Sequence, residues 1–175
     1  MIETIVESIR VSLVTQARVV ILKEVEGERH LPIWIGPFEA EAIAMELQSI
    51  QSSRPLPYDL LRSVIGELGA EVRRIVITEI SNDVFYARII LDTHGSSVEI
   101  DSRPSDAIAL AVRVKVPIFV DESVMDRAGV RLDDDDDEES DEPHREGAPI
   151  SEERLGVFRD FIDTLDLDDF EKKGN

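Results

Sequence analysis

The chain contains no cysteine among its 175 residues. That excludes a disulfide framework, a thiolate zinc site and a cysteine nucleophile. Aromatic residues make up only 5%, so the core that 42% apolar content predicts is aliphatic and rich in alanine. Lysine is confined to Lys23, Lys115, Lys172 and Lys173. No apolar run approaches the roughly 20 residues that a membrane-spanning helix needs. Met1 to Glu7 lacks the basic-then-apolar order of a signal peptide. Together these absences predict a cytoplasmic protein with no membrane partner. The chain also lacks the phosphate loop G-x-x-x-x-G-K-[ST] and the nucleophile elbow G-x-S-x-G. His30, His94 and His144 have no metal-ligand spacing.

What the chain has in excess is acid. The net charge is −19, and it is unevenly spread. Residues 1–130 hold 13 basic and 20 acidic residues, and residues 131–175 hold 6 and 18. The run Asp133 to Asp137, continued by Glu138, Glu139, Asp141 and Glu142, cannot fold against itself and predicts a solvated, disordered linker over 131–150. Within 151–175, Leu155, Phe158, Ile162 and Leu165 fall on one stripe of a final helix that Ser151 can cap. That helix is too short to be stable alone. Its stripe must dock on its own domain, a second subunit or another protein.

Residues 1–130 read as one α+β domain with a mixed or antiparallel sheet. Strands are predicted over 3–14, 19–25, 30–35, 71–80, 85–91, 97–101 and 117–120. Helices are predicted from Pro37, from Asp59 to Leu68, from the Pro104 region and from Asp121 to Ala128, with Asp59 as an N-cap. A shift of 65 residues overlays Glu41-Ala42-Ile43-Ala44 on Asp106-Ala107-Ile108-Ala109. This suggests a β-hairpin–helix unit used twice, with Glu41 and Asp106 at equivalent helix starts.

The most informative stretch is Val98 to Arg113. A strand ends in a polar turn, and the turn opens a helix that is apolar almost all round from Ala107 to Val112, which predicts burial. Asp106 in the first turn and Arg113 in the last both suit the helix dipole. Carboxylates so placed are also what a divalent ion needs to activate water at a phosphate. Arg103 gains nothing from the dipole at the positive end of this helix. Two readings of it stand open: an ion pair with Asp101, Asp106 or Glu39, or a phosphate contact shared with the helix N–H groups.

Asp101-Ser102-Arg103-Pro104-Ser105-Asp106-Ala107-Ile108-Ala109-Leu110-Ala111 resembles the signature D-A-R-P-S-D-A-I-A-L-A of the bifunctional nuclease domain family. Leu31-Pro32-Ile33-Trp34-Ile35-Gly36-Pro37-Phe38-Glu39-Ala40 resembles its L-P-I-x-I-G-x-x-E-A. Arg54-Pro55-Leu56-Pro57-Tyr58-Asp59-Leu60 resembles R-P-x-T-H-D-L, with Pro57-Tyr58 where the family has Thr-His. The tail, with Asp168-Asp169-Phe170, resembles that of bacterial members. The resemblance implies a nuclease that hydrolyses phosphodiester bonds of DNA or RNA, with Mg or Mn as the divalent metal. The candidates for chemistry are Asp106, Arg103, Asp101 and Glu39. The candidates for substrate contact are Arg54, Asp59, Ser105 and Glu41, with the metal ligands left unassigned. Tyr58 can donate a hydrogen bond in place of the family's histidine, but it is a poor base near neutral pH. The other reading is a non-enzymatic regulatory or assembly module in which these charges are structural ion pairs. In both, small-residue helices and the tail stripe predict a homo-oligomer, most simply a two-fold dimer.

Overall fold

In a computed structural model that describes residues 1–11 and 16–131, the chain runs β1 (Ile2–Val11), β2 (Arg18–Glu24), β3 (Arg29–Ile35), α1 (Pro37–Leu47), α2 (Pro57–Glu67), β4 (Ala70–Ser81), β5 (Val84–Thr93), β6 (Ser96–Ser102), α3 (Pro104–Val114), β7 (Ile118–Val120), α4 (Glu122–Ala128) and β8 (Val130–Arg131). The strands form one eight-stranded sheet in the order β6-β5-β4-β7-β1-β2-β3-β8. Every pairing is antiparallel except β4 with β7. This is the mixed sheet of an α+β fold. The acidic run and the apolar tail stripe lie outside the described residues.

The hairpin–helix unit recurs, with one more strand in each copy. Three antiparallel strands lead into α1, and three more lead into α3. The equivalence differs from the 65-residue overlay. Pro37 and Pro104 each open their helix, so the residue equivalent to Asp106 is Glu39. Glu41 lies two positions farther along α1 and is exposed. Alanine-rich composition, common to both helices, made the other alignment look plausible.

Alternation along the strands places Val20, Leu22, Leu31, Ile33, Ile75, Ile77, Ala87 and Ile89 on one face, all in the core. The register pairs Ile75 with Ile89 and Ile77 with Ala87. Helix α3 lies on this face against β4 and β5, flanked by α1 and α2. Its alanines at 107, 109 and 111 are fully buried; small side chains let its backbone approach both sheet and helices, while Ile108 and Leu110 fill the space between. Each such large aliphatic side chain contributes about 1.5–3 kcal/mol by leaving water.

Helix ends are set locally. Asp59 is not the N-cap of α2, which begins two residues earlier: Leu56 is the cap, Pro57 takes the first position and Asp59 the third. A carboxylate at that position still reaches back, accepting from the Leu56 N–H at 2.8 Å. Gly69, at φ +73°, turns the chain out of α2. At α4 the cap is Asp121, whose Oδ1 accepts from Ser123 Oγ at 2.6 Å and Ser123 N at 3.0 Å. Those bonds, the hydroxyl first, hold its carboxyl below the ordinary value of 3.8. A group lowered by folding stabilises above its unfolded value and loses that contribution as pH falls through its folded one. The Tm gap between wild type and Asp121→Ala is therefore expected to be full near neutrality and to close on acidification; melts across the acid range check it. Among the described residues, no helix is long and apolar enough to cross a membrane.

Candidate functional site

Three helices begin the same way. Pro37-Phe38-Glu39, Pro57-Tyr58-Asp59 and Pro104-Ser105-Asp106 each put proline at the first helical position and a carboxylate at the third. Proline suits that position because its missing N–H would have no partner there. The acid offsets the positive end of the helix dipole. Tertiary folding brings all three starts together, with their carboxylates sharing two arginines.

Arg103 is the hub. Its Nε donates to Asp106 Oδ2 at 2.7 Å, and its Nη2 donates to Asp106 Oδ1 at 3.0 Å and to Glu39 Oε1 at 2.7 Å. From α2, the Tyr58 hydroxyl donates to Asp106 Oδ1 at 2.8 Å. The Arg103 side chain is 67% exposed and forms the outer surface of the cluster, whereas those of Glu39 and Asp106 are 14% and 30% exposed. The hydrogen bonds to Asp106 and then Glu39 push Arg103 further above its ordinary range, so it stays charged at every working pH. Burial, then the bond to Asp106, pushes the Tyr58 phenol well above its ordinary value. Tyr58 is thus a fixed donor and has no role as a base.

A second pair lies beneath. Arg113 is seven residues after Asp106, which places both on one face of α3. Its Nε donates to Asp59 Oδ1 at 3.0 Å and its Nη1 to the Ala109 carbonyl at 3.1 Å. Its guanidinium carbon sits 5.4 Å from the centre of the Tyr58 ring, within cation–π range. The side chain is only 2% exposed. Arg113 is therefore more than a dipole complement at a helix end. Adjacent residues of α2 grip α3 two turns apart, Tyr58 at Asp106 and Asp59 at Arg113.

The remaining candidates fall elsewhere. Val98, Ile100 and Ser102 pair with Leu91, Ile89 and Ala87 and so share the helix-bearing face of the sheet. Asp101 points to the opposite face beside Arg88, whereas the strand ends at Ser102 and Arg103 caps α3 among the helices. Arg54 is exposed in the loop before α2, where its backbone N–H donates to Ser52 Oγ at 3.4 Å. Ser105 is buried at the second position of α3, and Glu41 is outside the cluster. Of the two readings of Arg103, the geometry shows the ion pairs, to Asp106 and Glu39 rather than Asp101. The part played by Arg113 was missed. The repeated proline–x–acid spacing and the seven-residue step from Asp106 to Arg113 were the available signals.

These residues do not make a cage for a divalent ion as they stand. Both Asp106 oxygens and one Glu39 oxygen are engaged by Arg103, and Asp59 by Arg113. Among the described residues no group of three or more His, Cys, Asp or Glu side chains is placed to hold a metal.

The cluster lies within residues 20–133, the span that matches the model of the bifunctional nuclease domain. An uncharacterised protein of Mycobacterium tuberculosis is 39% identical over 168 residues, covering 96% of this chain and 97% of that protein. Bifunctional nuclease 1 of Arabidopsis thaliana is 30% identical over 105 residues, 58% of this chain and 32% of the plant protein. The bifunctional nuclease of Oryza minuta is 31% identical over 117 residues, 65% of this chain and 35% of its own length. The chain belongs to the bifunctional nuclease domain family.

Proposed function

We propose that this chain hydrolyses phosphodiester bonds of DNA or RNA at the Arg103–Asp106–Glu39 cluster. The observation that supports this reading is the convergence of three helix starts on an exposed arginine, inside the span matched by the family. Arg103 offers a fork of donors suited to a phosphate oxygen. As Arg103 turns to a phosphate, Asp106 or Glu39 is released to accept a proton from the attacking water. The water oxygen bonds to phosphorus as the P–O bond to the leaving alcohol breaks, and solvent protonates the departing oxygen. Tyr58, held protonated, orients Asp106. The cluster of two carboxylates and one guanidinium carries a net charge of −1, so a phosphodiester is attracted only by Arg103 itself. This predicts weak binding with only a shallow salt dependence, because that dependence grows with the number of phosphates neutralised.

Cleavage of labelled single- and double-stranded DNA and RNA by rigorously purified protein tests the reading, with Mg²⁺, Mn²⁺ and EDTA compared. Loss of cleavage in folded Arg103→Gln and Asp106→Asn variants supports it. Equal activity in wild type and variants, or none in any arm, refutes it.

A second reading, a regulatory or assembly module, is favoured by a different surface. Helix α2 has no buried residue. Leu60 at 60%, Val64 at 45% and, just past its end, Leu68 at 71% are exposed along one stripe, far more apolar surface than a solvated helix face carries. Both readings accommodate a homo-oligomer, and we place its contact on this stripe. Light scattering is expected to show a dimer for wild type and a monomer for the Leu60→Glu, Val64→Glu double variant. A wild-type monomer at high concentration removes the oligomer.

A further inference from the structure

We propose that the Arg103 guanidinium is the resident cation of this cluster and keeps divalent metal off Glu39 and Asp106. A single nitrogen, Nη2, bridges the two carboxylates, at 2.7 Å from Glu39 Oε1 and 3.0 Å from Asp106 Oδ1. That is the place a bridging metal ion would take between the same two groups. The neighbouring Nε takes the other Asp106 oxygen at 2.7 Å, and the Tyr58 hydroxyl adds a further donor to Oδ1. Neither Asp106 oxygen is left open to a metal.

The guanidinium is also held in place by its own backbone. Arg103 is the N-cap of α3, at φ −68° and ψ 145°, and Pro104 restricts it to this extended region. Asp106 is three residues on, so the ion pair closes over a short, stiff segment. An incoming divalent ion must displace a tethered charge, whose effective concentration far exceeds that of any ion in solution. The charges agree: with Arg103 the cluster is at −1, and without it at −2.

The inference concerns metal occupancy and holds whether or not the chain cleaves nucleic acid. The test is Mn²⁺ binding to the full chain, followed by the electron paramagnetic resonance signal of the free ion. The acidic run at 133–142 gives a background common to all variants. Wild type is expected to show that background alone. Arg103→Gln is expected to gain one site, at least about tenfold tighter than the background. Arg103→Lys, which keeps a cation, is expected to gain none, and Arg103→Gln with Asp106→Asn to lose the new site. A wild type that binds as tightly as Arg103→Gln, or an Arg103→Gln with no added site, overturns the proposal. A measurement on wild type alone guards against a variant that fails to fold. Mn²⁺ is expected to leave the amide resonances of Ala40, Ser105 and Ala107 sharp, and selective broadening of those three overturns the proposal equally.

Discussion

Asp59→Leu is expected to destabilise the domain by about 3–5 kcal/mol, the range for leaving a buried charge without its partner. The partner is Arg113, whose side chain is 2% exposed and whose Nε would lose its acceptor. The Ala109 carbonyl and the Tyr58 ring would remain, but neither supplies negative charge. The Leu56 N–H would lose its acceptor as well. A loss of this size lowers Tm by on the order of 10 °C in a domain this large. The informative comparison is the double variant Asp59→Leu, Arg113→Met. Exchanging a buried ion pair for apolar side chains of similar volume is often neutral, so the double variant is expected to recover most of the loss. Chemical denaturation of the four proteins gives the coupling. A single variant within 1 kcal/mol of wild type, by the scale of ordinary surface substitutions, would mean that the pair does not hold α2 to α3.

The other large effect is on cleavage. Arg103→Gln and Asp106→Asn are each expected to lower kcat/KM by about 100-fold or more, the scale for removing a positioned charge from a transition state. They should differ in how the loss divides. On the proposed reading Arg103 would meet the phosphate in ground and transition states alike, so part of its loss is expected as raised KM. If Asp106 is the carboxylate that takes the proton from water, as proposed, its loss is expected to fall mainly on kcat. Tyr58→Phe removes one donor to Asp106 and leaves the ring over Arg113, which predicts a milder loss without unfolding. Asp101→Asn, on the opposite face of the sheet, is expected to match wild type. An Asp101→Asn loss as large as that of Asp106→Asn would move the site off this cluster.

Much of this was legible without tertiary structure. The strands expected over 19–25, 30–35 and 85–91, the β-branched density in 71–80 and the turns at 26–28 and 93–95 correspond to the observed strands. The unbroken apolar run after Asp106 predicted the buried helix, because a helix with no polar face has nowhere else to go. Proline at 37 and 104 marked two helix starts. The start of α2 was misplaced because Asp59 satisfies a cap donor from inside the helix, and a side-chain bond read from sequence does not say on which side of the boundary its owner stands.

The sequence by itself determined the local chemistry: which residues open helices, which faces are apolar, and that carboxylates and arginines gather near helix starts. Only the tertiary structure decided the pairings. Arg103 had three acids within plausible reach; strand alternation turned Asp101 to the far face, and packing of α1 beside α3 brought in Glu39, 64 residues away. Asp59 and Arg113 are 54 residues apart, and no local pattern links them. An ion pair depends on distance in space, and distance in space between elements is set by how the whole sheet and its helices pack. Charge and propensity belong to residues, whereas the partner of each charge belongs to the fold.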